Sequence, residues 1–296
     1  MYYYKYYGGW GGCFWDSPED AREIYRLKGL KTVPLWVGEL VSNSIAYFLV
    51  ELKKGREVEG GVLLSGLERQ FREGLEGSKN RALKKDRSKG LILQDHEYSR
   101  IVDDDFVKEK LELAKSCLAA FLNSELLREI KASDPKTWRF PKDYDAKGFP
   151  VFYFEDTRVF AMFRFGVLSG GNLTLYDWTT SARGESAEED SVLKNNIFLP
   201  FFSKNENLSP AQIELKKVYL KDGFFEEKTF SNSDAAQVKN YMRESIAQMK
   251  SMLDEGTKNS ASEGKFPKTD NESDCTYCNF KKKCFPGATS EFMGYG

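Results

Sequence analysis

Residues 158–180 read RVFAMFRFGVLSGGNLTLYDWTT, and this stretch carries the strongest structural signal in the chain. Gly170 and Gly171 predict a two-residue hairpin turn, because such turns need positive φ at both central positions. A turn centred there fixes the register of the two flanking strands, and alternation along each strand places aromatic side chains on one face. The aromatic pairs predicted to oppose one another are Phe163 with Trp178 and Phe165 with Tyr176.

The opposite face of the same hairpin carries charged and polar side chains. In the predicted register Arg164 lies directly across from Asp177, and Thr179 follows Asp177 on that face. A guanidinium beside a carboxylate predicts a cross-strand ion pair, which is stronger where it is bidentate and partly buried. An exposed pair would contribute only about 0–1 kcal/mol to stability.

The composition is that of a folded globular protein. Of the 296 residues, 41% are hydrophobic and 30% are charged. The formal net charge is −1, so a nucleic-acid partner would have to be met by a local basic patch. We find no apolar run of about 18 residues and therefore expect no membrane span. The first residues lack the apolar core of a signal peptide, which predicts a cytoplasmic protein.

Helical periodicity comes first along the chain, and strand alternation follows it. Helices are predicted over 17–29, from just after Pro34 to 49, and over 62–71, 104–131, 187–202 and 233–253. Strands are predicted over 151–154, 158–168, 172–180, 213–220 and 224–230. This order predicts an α/β protein with a mixed central sheet, flanking helices and an N-terminal helical part.

Changes in composition divide the chain into five segments. The first is aromatic and rich in glycine, and the fourth is a polar linker. The predicted segments are an N-terminal aromatic segment with a cluster cysteine (1–16), a helical part (17–149), an α/β core (150–255), a linker (256–272) and a C-terminal cysteine cluster (273–296).

The cysteines predict a metal centre. Cys275, Cys278 and Cys284 lie within ten residues, and a C-x2-C turn lets both of its sulfurs converge on one ion or cluster. A reducing compartment favours metal ligation over disulfides for such a group. Cys13, in a glycine-rich segment, is the expected fourth ligand, whereas Cys117 lies on an apolar helix and is expected to be a core thiol. The expected cofactor is a [4Fe–4S] cluster that clasps the two ends of the chain, and zinc is the alternative. A second alternative is a packed Cys13 with zinc held by the three late cysteines and another ligand.

Together the hairpin, the helix with Gly38-x-x-x-Ser42 and the terminal cysteines resemble the PD-(D/E)XK nuclease superfamily. The closest group is the RecB-like exonucleases that carry an iron–sulfur cluster, including the CRISPR-associated ones. In that pattern a helix bears G-x-x-x-H, one strand ends in Asp, and the next strand carries D/E-x-K. The resemblance implies a restriction-endonuclease-like fold closed by the cysteine cluster.

At the catalytic positions the chain departs from the pattern. Ser42 stands where the family has His, Arg164 at the first metal-binding Asp, and Thr179 at the catalytic Lys. Only Asp177 survives, as a vestigial site residue, and such nucleases need two acidic groups to hold Mg²⁺ or Mn²⁺. The resemblance therefore implies an inactive nuclease fold acting as a DNA-binding or partner-binding subunit, with the Arg164–Asp177 pair in place of the metal.

Two alternatives stay open at this point. One is an active Mg²⁺- or Mn²⁺-dependent DNA exonuclease with relocated catalytic residues, for which Glu39, Glu155, Asp156 and Arg183 are the candidates. The other is a structural subunit of a helicase–nuclease or defence complex. Basic runs that could contact phosphates include Lys84, Lys85, Lys281, Lys282 and Lys283. The only histidine, His96, lies in a polar stretch and is expected to be a surface residue without a special role.

Overall fold

The computed structural model describes residues 3–9, 11–83, 90–98, 102–183, 196–255, 260–267, 269, 275 and 277–285. The chain divides into two compact units, each built from separate stretches of sequence. Unit 1 comprises residues 1–37, 69–111 and 248–296, and unit 2 comprises residues 38–68 and 112–247. Lys84 and Lys85 lie outside the described residues.

Helices and strands alternate in the mixed order expected of an α/β protein. The helices are α1 (Glu19–Lys28), α2 (Val33–Lys53), α3 (Gly60–Leu83), α4 (Gln94–Glu97), α5 (Asp104–Leu122), α6 (Glu125–Ala132), α7 (Pro141–Tyr144), α8 (Phe198–Asn205), α9 (Asn232–Ser251) and α10 (Lys281–Cys284). The strands are β1 (Trp138–Arg139), β2 (Val151–Phe154), β3 (Thr157–Phe160), β4 (Phe165–Ser169), β5 (Asn172–Thr179), β6 (Ile213–Tyr219) and β7 (Phe224–Thr229).

Unit 2 contains a five-stranded mixed sheet in the order β1-β4-β5-β6-β7. Strands β4 and β5 form the hairpin, β5 pairs with β6 in parallel, and the other pairs are antiparallel. A parallel pair needs a crossover, and α8 lies on the connection between β5 and β6. A separate hairpin, β2–β3, forms a two-stranded sheet.

Both faces of the central strand β5 are covered by apolar side chains. Leu173 and Leu175 belong to a core cluster that includes Phe201 and Phe202 of α8. On the other face Tyr176 packs on Phe165, with ring centroids 5.6 Å apart, and Trp178 packs on Phe121 of α5, with centroids 5.7 Å apart. Alternate residues of β5 are thus buried on opposite sides, which is the pattern of a sheet between two layers.

Two predicted elements are interrupted in the structure. The helix expected over 104–131 ends at Leu122 and restarts at Glu125, because the Ser124 hydroxyl accepts the N–H of Leu127 as a cap. The strand expected over 158–168 is broken between Phe160 and Phe165. The predicted pairing of Phe163 with Trp178 was therefore wrong: Phe163 packs on Phe202 of α8, with ring centroids 5.0 Å apart.

The helix predicted over 187–202 is described only in its later part. Residues 184–195 lie outside the described part of the chain, and α8 begins at Phe198 and continues past Pro200 to Asn205. Helix α3 extends to Leu83, twelve residues beyond the end predicted at residue 71. The strand boundaries predicted over 151–154, 172–180, 213–220 and 224–230 agree with the structure to within one residue.

Helix α2 has the length and composition of a membrane-crossing helix. It is the one such helix among the described residues, and 56% of its most apolar window is buried. The expectation that the chain has no membrane span stays a prediction. Core helices of folded proteins pass the same test, so length and composition alone do not decide the matter.

Candidate functional site

The β4–β5 hairpin has the register that its glycine turn predicted. Gly170 and Gly171 have φ values of 58° and 78°, and the ladder pairs Phe165 with Tyr176. Because the turn type sets the register, every side chain of the two strands lies on its predicted face. This confirms the part of the interpretation on which the candidate site depends.

Arg164 and Asp177 form the predicted cross-strand ion pair. The Arg164 Nε donates a hydrogen bond to Asp177 Oδ1 at 2.8 Å, and the two side chains are 44% and 45% exposed. The contact uses a single N–H, so the pair is not bidentate. At this exposure it contributes about 0–1 kcal/mol, and it leaves the two Nη atoms of Arg164 without a partner among the described residues.

A lysine that sequence reasoning missed lies on the other side of Asp177. Lys217 of β6 is the parallel partner of Asp177, and Glu226 of β7 is the antiparallel partner of Lys217. Paired residues in adjacent strands share a face. The result is a row of alternating charge, Arg164–Asp177–Lys217–Glu226, in which Arg164 immediately precedes β4 and the other three lie on β5, β6 and β7. We call it the charge row.

The residues of the charge row differ in the number of polar partners that they contact. Glu226 accepts hydrogen bonds from Arg183 Nε at 3.0 Å and from the Tyr219 hydroxyl at 3.1 Å. The Lys217 ammonium lies 5.1 Å from the centroid of the Tyr219 ring and has no carboxylate partner among the described residues. Lys217 is therefore a half-buried cation beside Asp177.

Helix α2 reaches the carboxyl end of β5. A Cβ on Gly38 would lie 3.4 Å from Oγ1 of Thr180, an ordinary contact distance, so this turn of α2 lies next to the residue that follows β5. Ser42, one turn later, is buried. Thr179 lies on the face of Asp177, and its Oγ1 accepts the N–H of Ser181 at 3.1 Å.

Three of the four candidates for relocated catalysis have partners away from Asp177. Glu155 accepts a hydrogen bond from Arg243 at 3.1 Å, and Arg183 contacts Asp222 and Glu226. Asp156 accepts the hydroxyl of Thr157. Glu39 is half-buried on α2.

The four predicted metal ligands lie in unit 1, in different environments. Cys278 is buried, Cys275 and Cys284 are half-buried, and Cys13 is exposed. Among the described residues no group of three or more Cys, His, Asp or Glu is arranged to hold a metal ion. The four thiols are therefore not gathered into one ligand group among the described residues, and the metal centre stays a prediction. Cys117 is a buried thiol as expected, and burial raises its pKa to about 11.

Both ends of the chain nevertheless pack on helix α1. A Cβ on Gly12 would lie 2.2 Å from the carbonyl oxygen of Ala21, so the segment before Cys13 is in contact with α1. The ammonium of Lys283, next to Cys284, pairs with Asp20 and Glu23 of the same helix. The ring of Tyr4 packs on that of Phe280, with centroids 5.6 Å apart, so the N-terminal segment also contacts the chain four residues before Cys284.

A set of polar contacts fastens the C-terminal segment, residues 277–285, to unit 1. Asn279 Nδ2 donates to the carbonyl of Leu30 at 2.9 Å, and the Tyr98 hydroxyl donates to the carbonyl of Asn279 at 2.8 Å. Gln94 Nε2 donates to the carbonyl of Tyr277 and to the side chain of Asn279. Cys278 and Phe280 are buried in a cluster with Ile24, Leu27, Leu30, Ile92 and Tyr98.

Glu97 is the ionic centre of this contact. Its carboxylate accepts two hydrogen bonds from Arg26, at 2.5 and 2.6 Å, and one from Lys282 at 2.9 Å. Burial alone would raise the pKa of Glu97, but the hydrogen bonds from the two cations outweigh it and lower the pKa. Lys283 is paired with two carboxylates, Lys282 shares the carboxylate of Glu97 with Arg26, and Lys281 is buried. Phosphate binding by these lysines stays a prediction.

His96 is half-buried rather than a free surface residue. Its Nδ1 lies 2.8 Å from the hydroxyl of Ser78, a buried residue that also accepts the N–H of Leu93. Burial lowers the pKa of His96 below its ordinary value. The charge of Asp95 raises this pKa, and that of Lys79 lowers it. The expectation that His96 has no structural role was wrong.

The described residues therefore offer two features with chemical character: the charge row of unit 2 and the fastened C-terminal segment of unit 1. The charge row lies at the carboxyl ends of the parallel strands β5 and β6. The C-terminal segment holds two of the five cysteines, Cys278 and Cys284, and Cys275 lies just before it. Comparison of the chain with protein-family models, with curated proteins and with solved structures finds no match.

Proposed function

We propose that this chain is a nucleic-acid-associated protein of the RecB-like PD-(D/E)XK nuclease superfamily that has lost hydrolysis and acts as a DNA-binding or partner-binding subunit in the cytoplasm. The observation that carries the proposal is the Arg164–Asp177 ion pair, with its 2.8 Å contact. It puts a cation where the resemblance expects the first metal-binding carboxylate.

The chemistry of hydrolysis explains why this exchange matters. A metal-dependent nuclease needs two acidic groups to hold Mg²⁺ or Mn²⁺ and a Lys to position water or phosphate. Here Asp177 is the one carboxylate of the predicted motif, and it is already paired with a guanidinium. A cation at that distance repels a divalent ion, so we expect neither metal binding nor hydrolysis at Asp177.

The fold of unit 2 supports the same proposal. A helix with Gly38 meets the end of β5, the hairpin strands β4 and β5 carry the motif positions, and a helical crossover leads to the parallel strand β6. These are the mixed sheet and flanking helices that the resemblance implies. A groove inherited from a nuclease can still fit a phosphate backbone after its chemistry is lost.

The metal centre is part of the proposal. We propose that Cys13, Cys275, Cys278 and Cys284 bind a [4Fe–4S] cluster, with zinc as the alternative. Support comes from the packing of both chain ends on α1 and from the C-x2-C turn, in which the Cys278 N–H donates to the carbonyl of Cys275 at 3.2 Å. The Phe280 N–H lies 3.4 Å from the Cys278 sulfur, a contact that stabilises a thiolate.

A cleavage and binding assay tests the proposed function. We expect the full chain to bind DNA without cleaving it in the presence of Mg²⁺ or Mn²⁺. The double variant Arg164→Asp, Thr179→Lys restores the second carboxylate and the lysine, and we expect it to gain metal-dependent cleavage. Cleavage by the wild type that Asp177→Ala abolishes would favour an active exonuclease instead. Failure to bind DNA at low salt, with a protein partner retained through purification, would favour a structural subunit.

A further inference from the structure

Two cations of the charge row, Arg164 and Lys217, flank one carboxylate, that of Asp177. Arg164 lies on one side of Asp177 and Lys217 on the other, and neighbouring strands are about 4.8 Å apart. Arg164 uses only Nε on Asp177, so its two Nη atoms keep their N–H donors available. The ammonium of Lys217 has no ionic partner in the part of the chain that the structure describes.

These free donors belong to a face that is open at this point. Leu173 and Leu175 of β5 are buried in the core cluster that also contains residues of α8. Asp177, two residues later on the same face, is 45% exposed. Thr179 continues this face, and its hydroxyl accepts an N–H while its own proton remains to donate. In open α/β sheets ligands bind outside the carboxyl ends of parallel strands, which is where these residues lie.

An anion with several oxygen atoms matches this set of donors. A guanidinium presents a planar fork that suits phosphate, and a lysine supplies a compact point charge. The second carboxylate among the described residues of the charge row, that of Glu226, is engaged by Arg183 and Tyr219 and is not free to complete a cation site. The donors therefore favour a phosphate group over a metal ion.

We propose that Arg164 and Lys217 bind one backbone phosphate of a nucleic-acid strand directly, without a divalent metal. The proposal rests on the proposed function and deepens it by assigning the contact residues and the charge of the group they bind. Asp177 holds Arg164 through Nε and leaves the N–H groups of both Nη atoms available to donate. Lys217 is a residue that the family motif does not include.

The test measures binding of a short fluorescent single-stranded DNA to the full chain in EDTA over a range of salt concentrations. For single strands each phosphate contact contributes a slope of about 0.7 in log affinity against log salt, so losing one contact at about 0.1 M salt lowers affinity about fivefold. We expect this loss, and a shallower slope, for Lys217→Gln and for Arg164→Gln. Lys217→Arg keeps the cation and should retain the affinity.

A matched control separates a local contact from a change in net charge. Lys204, exposed near the end of α8 and without an ionic partner among the described residues, loses the same charge in Lys204→Gln. We expect that variant to bind as the wild type does. Asp177→Asn removes the anion between the two cations and should bind more tightly in EDTA. Inorganic phosphate should compete with the DNA for the wild type and less for Lys217→Gln.

The outcomes distinguish the two proposals. If the wild type binds DNA and both glutamine variants behave like Lys204→Gln, the phosphate contact is overturned while nucleic-acid binding stands. If the wild type does not bind DNA at low salt, the proposed function fails. Binding by the wild type that requires Mg²⁺ and is lost in EDTA also overturns the metal-free contact.

Discussion

The replacement Glu97→Gln tests how the C-terminal segment is held in unit 1. The Glu97 and Arg26 side chains are 4% and 7% exposed, and two hydrogen bonds of 2.5 and 2.6 Å join them. A glutamine amide places an N–H₂ group against the guanidinium and removes the charge that compensates Arg26. Breaking a buried pair from one side costs about 3–5 kcal/mol, because the other charge stays buried and uncompensated.

The pH dependence gives a second, independent expectation. Burial alone would raise the pKa of Glu97, but the hydrogen bonds from Arg26 and Lys282 lower it below its unfolded value. A lowered folded pKa stabilises the protein above the unfolded pKa of about 4.3, and this stability is lost as pH falls through the folded pKa. Glu97→Gln removes this contribution, so the acid-induced loss should be smaller in the variant.

Urea denaturation measures the free energy of unfolding, and hydrogen exchange localises the loss. We expect faster exchange in α1 and in residues 277–285, with β5 of unit 2 unchanged. Glu129→Gln is the control, since Glu129 is 48% exposed where it pairs with Lys216, and a surface pair contributes only about 0–1 kcal/mol.

A double replacement separates the lost charge pair from lost packing. Arg26→Met with Glu97→Met removes both buried charges, and such exchanges are often neutral or stabilising. The double variant should therefore recover most of the stability that Glu97→Gln loses. An unfolding free energy of Glu97→Gln within about 1 kcal/mol of the wild type would refute the reasoning, because it would mean that Arg26 is not desolvated as the structure indicates.

Two further predictions concern unit 1. Burial lowers the pKa of the folded-state His96. The contribution of neutral His96 to the free energy of unfolding should therefore be complete above pH about 6.5 and decrease as the pH falls from there toward the lowered pKa. Urea midpoints at neutral and mildly acid pH measure this decrease, which should be smaller in His96→Gln. Gly12→Ala would put a Cβ 2.2 Å from the carbonyl oxygen of Ala21, and we expect it to free the N-terminal segment from α1, measured as faster proteolysis there. Gly61→Ala, where a Cβ meets nothing within 4 Å, should be neutral or stabilise by up to about 1 kcal/mol.

The parts of the fold that the sequence predicted are those with local causes. The Gly170-Gly171 turn fixes the register of its own hairpin, and alternating residues mark β2 and β6. The break before α6 also had a local signal, since Ser124 precedes Glu125 at an ordinary cap position. Strand β1 had none: Trp138–Arg139 is two residues long and is a strand because it pairs with β4.

In the candidate site, too, the contacts with local causes were predictable and the non-local contacts were not. Arg164 opposite Asp177 follows from a turn only a few residues away, whereas Lys217 reaches Asp177 through a parallel pairing across a crossover. No periodicity or motif reports which residues of two parallel strands become neighbours. The contacts of Asn279 with Leu30 and Tyr98 are likewise non-local, so the terminal lysines could be read from the sequence only as an exposed basic run.

The structure also shows which cysteine replacement tests the metal centre. Cys278 is buried among Ile24, Leu27 and Leu30 and accepts an amide N–H, so Cys278→Ser would destabilise unit 1 with or without a metal. Cys13 is exposed, and replacing an exposed side chain without other contacts changes stability by only about 0.5 kcal/mol. Cys13 is therefore the informative position.

If Cys13 ligates a cluster, its replacement removes a bond whose formation is coupled to folding, and stability should fall far beyond that of a surface substitution. We expect Cys13→Ser, purified without oxygen, to lose iron and sulfide and to melt at a lower temperature than the wild type. Cys117→Ser is the control for thiol loss, because it should lower stability through its buried site while leaving the iron content unchanged. A Cys13→Ser protein with unchanged metal content and melting temperature would exclude Cys13 as a ligand, and the polar contacts around Glu97 and Asn279 would then account for the joining of the two chain ends.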